Sequence, residues 1–235
     1  MALKGLVSKG KVPKGSAVAA DGCEPGFDCP RCERLVAFRH EARTREPGWH
    51  NAPVPSFGPA DARLLIVGLA PGLRGANRTG RPFTGDYAGD LLYATLKEFG
   101  MAQGVYDQRP DDGLRLLDCR ITNAVRCVPP QNKPTPAEIT TCRPFLLATI
   151  ESNQNLSAIL ALGRIAHESV LRTFGVRLSE HPFGHGRSHE LKTQTGRTVA
   201  LFDSYHCSRY NTNTGVLTTD MFRDVFVSLQ AHLAR

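Results

Sequence analysis

Four stretches of the chain are predominantly apolar, and helical spacing of apolar positions recurs between and after them. "RLLIVGLAP" (63–71) is a run of consecutive apolar residues that ends in Gly and Pro, as expected for a strand buried on both faces. "LRLLDCRITNAVRC" (114–127), "SAILALG" (157–163) and "TVALFDS" (198–204) read as three more strands. Between and around them, the spacing predicts helices over 34–46, 88–100, 164–175 and 218–235, with Gly100 stopping the second. A further helix has an explicit start. Thr135 takes the N-cap, Pro136 the first turn, and Glu138 completes a capping box; Pro144 is a candidate kink further along.

Strand and helix alternate, which predicts parallel strands with helices on both faces of the sheet. In such sheets ligands lie beyond the carboxyl ends of the strands. Three loops meet that condition: 68–86, 123–134 and 204–215.

Composition adds class rather than detail. With 41% hydrophobic and 22% charged residues among 235, the chain suits one well-buried α/β domain. The expected organisation is a basic flexible tail over 1–22, carrying Lys4, Lys9, Lys11 and Lys14, followed by a single domain over 23–235. That tail has no continuous apolar core, so it does not read as an export signal, and no run is long enough to cross a membrane. The net charge of +7 suits either a solubilising surface or a polyanionic partner such as nucleic acid.

The seven cysteines are odd in number and accompany no export signal, which argues against a disulfide framework. "CPRC" sets Cys29 and Cys32 close enough to serve one metal centre, with Cys127 and Cys142 as companions. Four thiolates hold a tetrahedral zinc or a [4Fe–4S] cluster. The second pair is more widely spaced than in structural zinc sites, which favours iron–sulfur. Cys119, on an apolar strand, reads as a packed thiol. Cys207 beside His206 is a nucleophile candidate only in isolation. His181, His185 and His189 recur at every fourth position, but Pro182, Gly184 and Gly186 argue for a loop rather than one helical face.

"GLAPGLRGANRTGRPFTGD" (68–86), "RCVPPQNKPTP" (126–136) and "SYHCSRYNTNTG" (204–215) together resemble family 5 uracil-DNA glycosylases, from Cys29 to the last helix. The resemblance implies a three-layer α/β/α fold around a central four-stranded, mainly parallel sheet. It implies a prokaryotic, cytoplasmic, nucleoid-associated enzyme, monomeric, whose partner is DNA carrying uracil or other deaminated bases such as hypoxanthine and xanthine. It also implies a [4Fe–4S] cluster on Cys29, Cys32, Cys127 and Cys142.

A glycosylase flips its nucleotide into a tight pocket. Gly68, Gly72 and Gly75 would let backbone approach the base, amides near Ala70 would donate to a carbonyl, Pro71 would be a further base-binding position, and Phe83 would stack on the ring. Asp86 matches the family's water-orienting carboxylate, His206 the histidine facing the base carbonyl, and Asn132 a further active-site polar residue. Arg74, Arg78 and Arg81 would reach phosphates, while Arg209 or Tyr210 would fill the gap left by the flipped base. Each has a plain alternative: Asp86 an N-cap, Phe83 core packing, Asn132 a turn.

Two positions depart from the family pattern. Leu69 stands where better-known relatives carry an acidic or polar residue, which moves the catalytic burden to Asp86. Asn123 stands where family 5 members often have a small residue, and an amide there would read uracil O4 and N3–H. Its alternative is a strand-end residue bonding backbone. With no well-placed lysine, a monofunctional enzyme without a lyase step is expected. The contrasting expectation is a metal-containing damage sensor that binds nucleic acid without chemistry.

Overall fold

A computed structural model describes residues 22–235, so the expected tail lies, but for Gly22, outside the described residues. Alternate residues of each central strand point to opposite faces, and both faces are covered. In β1 (Leu64–Gly68) Leu64 and Ile66 face α3 (Tyr87–Glu98) and α7 (Thr219–Leu233), where Leu92, Tyr93, Phe222 and Phe226 are fully buried. Leu65 and Val67 face α4 (Pro136–Ser152) and α5 (Arg164–Phe174), packing with Leu146, Ile150 and Val170. This is the expected three-layer arrangement, and a strand covered on both sides has no reason to alternate polar with apolar residues.

The sheet has five strands rather than four, in the order β4 (Cys119–Asn123), β1, β5 (Ala158–Leu162), β7 (Thr198–Ser204), β6 (Ser188–Lys192). The first four are parallel and β6 is antiparallel to β7. β6 is the strand that patterning does not announce: of "SHELK" only Leu191 is buried, because an edge strand contacts the core through few residues. The expected strand over 114–127 is two. β3 (Arg115–Leu116) pairs with β2 (Ala102–Gln103), and Asp118, at φ 52°, breaks the line before β4 begins.

The predicted cap of α4 is present, with the Thr135 side chain accepting from Glu138 N and the Glu138 carboxylate accepting from Thr135 N. Pro144 lies inside α4 without ending it. A separate small core of Leu35, Val125 and Phe145 joins α1 (Glu33–Arg45) to α4 beside the cysteines.

Candidate active site

Because β1, β4 and β7 run parallel, their carboxyl ends open on one side, and the loops that leave them enclose a cavity of about 400 Å³. Gly68 ends β1 opposite Asn123 of β4. A Cβ at 68 would lie 2.5 Å from Asn123 Oδ1 and 2.7 Å from Phe83 Cζ, so a bare backbone here lets amide and ring meet over the strand end. Ala70, Pro71 and Gly72 carry the wall onward, and Phe83, Asp86, Asn123, Asn132, His206 and Arg209 complete it.

Asp86 stands at the N-cap position of α3, yet its side chain makes no capping hydrogen bond. Its Oδ1 is buried without a partner. Burial drives its pKa above the usual carboxylate value, and the amides of Gly89 and Ala88 temper that rise. The carboxylate is confined sterically: a Cβ at Gly72 would come within 3.2 Å of Asp86 Oδ2, and one at Gly75 within 2.9 Å of its Cγ. A carboxylate aimed into a cavity and shielded from solvent is suited to acting on water or on a positive centre.

The half-buried His206, which lines the same cavity, lies stacked against Phe83, with centroids 6.0 Å apart and planes 29° from parallel. Asn211 Nδ2 donates to the His206 carbonyl at 2.8 Å and fixes the backbone there, while the ring itself makes no hydrogen bond among the described residues. Burial lowers the His206 pKa, so a neutral imidazole faces the cavity. The Asn123 side chain, 3% exposed, also lacks a hydrogen-bond partner among the described residues, contrary to the strand-end alternative. Asn132 is exposed and holds the left-handed conformation at φ 57°, so the turn role and the cavity position coincide in one residue.

Phe83 is itself left-handed at φ 52°, a conformation that costs a bulky residue on the order of 1–3 kcal/mol. Tyr87, Ala88 and Ser208, which line the cavity too, were not singled out by sequence. The available signal was adjacency, since each lies within two residues of Asp86 or His206.

The basic residues divide. Arg74, Arg78 and Arg209 are exposed, and of the three Arg209 lines the cavity while Arg74 lies in a separate groove beside Arg45 and Trp49; Tyr210 is 74% exposed on α6 (Arg209–Asn213). Arg81 is a correction. It is 4% exposed and bonds Asp112 through both terminal nitrogens at 2.8 and 2.7 Å, so it is not free to meet a phosphate. Cys207 is fully buried, donates to Ala88 O, and has its thiol pushed up to about 12 by burial, which removes it as a nucleophile.

Cys29 and Cys32 precede α1, Cys127 follows β4, and Cys142 lies in α4; all four gather against Leu35, Val125 and Phe145. Arg39 Nη1 approaches Cys127 Sγ at 3.7 Å and Arg126 N donates to Cys142 Sγ at 3.4 Å, the kind of donor that steadies metal-bound sulfur. A single tetrahedral zinc with bonds near 2.3 Å draws its sulfurs to about 3.8 Å from one another. Among the described residues, the one trio of ligand atoms mutually within 4.8 Å is His167, His189 and Asp203, not the cysteines. The four thiols are a donor set that suits a thiophilic metal centre, whether a zinc ion or an iron–sulfur cluster. Ala70 packs against this cysteine core and also lines the cavity.

The histidine run does form a loop as far as His185, with His189 on β6. His185 Nδ1 accepts from Tyr205 N at 3.1 Å and its Nε2 donates to Met221 O at 3.2 Å, so that ring is spent on holding the chain before His206. His167 is buried between Asp203 Oδ1 at 2.7 Å and His181 O at 2.9 Å.

Residues 55–230 match the family model described as the Uracil DNA glycosylase superfamily. A type-5 uracil-DNA glycosylase of Thermus thermophilus is 47% identical over 205 residues, 85% of this chain and 91% of that protein. One from Pyrobaculum aerophilum is 38% identical, over 84% of this chain and 86% of its own length. A type-4 uracil-DNA glycosylase of Archaeoglobus fulgidus is 32% identical over 154 residues, 65% of this chain and 69% of that protein. The chain belongs to the uracil-DNA glycosylase superfamily, among its type-5 members.

Proposed function

We propose that this chain is a monofunctional DNA glycosylase that flips uracil out of DNA and hydrolyses its N-glycosidic bond, leaving an abasic site. One observation carries the reading: the Asp86 carboxylate, with its Oδ1 buried and unpartnered, and the His206 ring share a cavity walled by Phe83.

Breaking the bond between C1′ and N1 leaves positive charge on the sugar and sends the electron pair to the base. Ionised Asp86 orients a water for attack at C1′ and stabilises the oxocarbenium-like centre. The water oxygen bonds to C1′ and its proton leaves by way of the carboxylate. His206 donates an N–H to a uracil carbonyl and stabilises the departing anion, which then takes up a proton at N1. Phe83 stacks on the flipped ring, amides near Ala70 donate to it, and the Asn123 amide pairs with O4 and N3–H. An amide so placed rejects the exocyclic amine of cytosine and narrows the range among hypoxanthine and xanthine. Arg74, Arg78, Arg209 and Tyr210 engage the strand around the flipped nucleotide, and Asn132 closes the cavity rim.

Cys29, Cys32, Cys127 and Cys142 would hold a [4Fe–4S] cluster, which would tie α1 to the loop after β4 and supply structural cross-linking beside the site. The tail together with one domain over 23–235 acts as a monomer at the prokaryotic nucleoid.

The test is incubation with a uracil-containing oligonucleotide followed by alkali. Strand cleavage by the wild type that is lost in Asp86→Ala and His206→Ala supports the enzyme. A strand that is bound yet intact supports a damage sensor without chemistry and overturns the reading.

A further inference from the structure

We infer that Tyr106, Asp112, Arg81, Tyr93 and Gly89 form a brace whose task is to hold Phe83 in its left-handed conformation, making them positioning residues for base stacking. The inference rests on the glycosylase reading above.

Phe83 stands at φ 52°, where a bulky side chain does not settle unless its surroundings hold it there. The holding groups are all present. Tyr106 Oη donates to the Phe83 carbonyl at 3.2 Å, and Tyr93 Oη donates to the preceding carbonyl, that of Pro82, at 2.6 Å. On the other side, Arg81 Nε donates to Thr84 Oγ1 at 2.8 Å. The Arg81 guanidinium is clamped by Asp112, whose carboxylate also accepts from the amides of Asp107 and Leu114 at 2.9 and 3.0 Å. It lies over the rings of Phe57, Tyr93 and Tyr106, 5.1 to 5.8 Å from their centroids.

Gly89 belongs to the same packing, with the Phe83 carbonyl and the Tyr106 hydroxyl filling the space a side chain would take. It sits inside α3, where glycine is a poor helix former, and a Cβ there would overlap the Phe83 carbonyl oxygen and come within 2.9 Å of its carbon. None of Arg81, Tyr93, Tyr106 or Asp112 lines the cavity, and their hydrogen bonds to the 81–84 loop are the route by which they act on Phe83. Without them the backbone at 83 relaxes towards ordinary φ and its ring leaves the wall it shares with His206.

The test is single-turnover excision of uracil from an oligonucleotide duplex by Tyr106→Phe and Asp112→Asn, each made alone and in a Phe83→Ala background. Loss of one hydrogen bond of about 1 kcal/mol slows Tyr106→Phe roughly fivefold, and Asp112→Asn slows at least as much. Neither substitution slows excision further once Phe83 is alanine, because the ring they position is gone. Effects that multiply with Phe83→Ala, or single variants as fast as wild type, overturn the brace. Amide hydrogen exchange over 79–89 gives a second readout: it accelerates in Tyr106→Phe while the melting temperature stays near wild type, and unchanged exchange overturns the proposal. If Asp112→Asn does not fold, Tyr106→Phe decides alone. A wild type that excises no uracil sinks the glycosylase reading by itself, and the exchange measurement still decides the brace.

Discussion

Asp86 is costly to the folded protein, and the cost has a sign. Its pKa is raised above 3.8, so the stability it contributes is present when it is protonated, below the unfolded value, and is lost as pH rises through the folded value. At neutral pH the buried carboxylate is a burden. Asp86→Asn therefore melts at or above the wild-type temperature at pH 7, with the difference closing below pH 4, while uracil excision falls about 100- to 1,000-fold. The excision rate of the wild type drops on acidification at a pH above the ordinary carboxylate value, measured as a single-turnover pH profile. On the proposed reading, Asn123→Ala loses a base-edge contact worth about 1–3 kcal/mol, slows excision of uracil and flattens preference across oligonucleotides bearing different deaminated bases. At this scale the cavity positions of Asp86 and Phe83 were legible in a glycine-crowded loop, and those of His206 and Asn123 in the loop after β7 and the end of β4. Arg81 was not: a basic residue in a loop reads as exposed, and only Asp112, brought from 31 residues away, shows where its charge is spent.

Elements place these residues. Gly68 and Gly75 are needed for close approach rather than for turning, since neither has a positive φ and a Cβ on either meets a cavity residue. Gly75→Ala displaces the Asp86 carboxylate and lowers excision severely with little loss of melting temperature, a pattern that distinguishes a site defect from unfolding. Thr135→Ala does the reverse: it loses the N-cap of α4, costs about 1 kcal/mol in denaturant unfolding, and leaves the cavity residues in place. The buried parallel strands and the capped helix were legible because burial on both faces and a capping box each leave a strong local mark. β6 and the break at Asp118 were not, because an edge strand buries one residue in five and a left-handed Asp carries no pattern.

For the whole molecule, the cavity and the cysteine core meet at Ala70, so the thiols and the cavity share a wall. Cys127→Ser is expected to lose visible absorbance, bound iron and most of its thermal stability together, since binding of such a group is coupled to folding. A variant that keeps its colour and its melting temperature excludes Cys127 as a ligand. The net charge of +7 and the exposed Arg74, Arg78 and Arg209 predict DNA affinity that falls linearly in log–log form with salt, by a slope of about 0.9 for each phosphate neutralised on duplex. No described helix is long and apolar enough to cross a membrane.

From the sequence alone came the alternation of buried strands and helices, the capped α4, the three loops at the strand ends and the four thiols, since hydrophobic period, turn chemistry and cysteine spacing are local properties of the chain. The tertiary structure decided which polar groups were left without partners. Asp86 might have capped α3, Asn123 bonded backbone and Arg81 met solvent; which happened depended on residues far away in the chain, and unmet hydrogen-bonding capacity is a property of the packed whole.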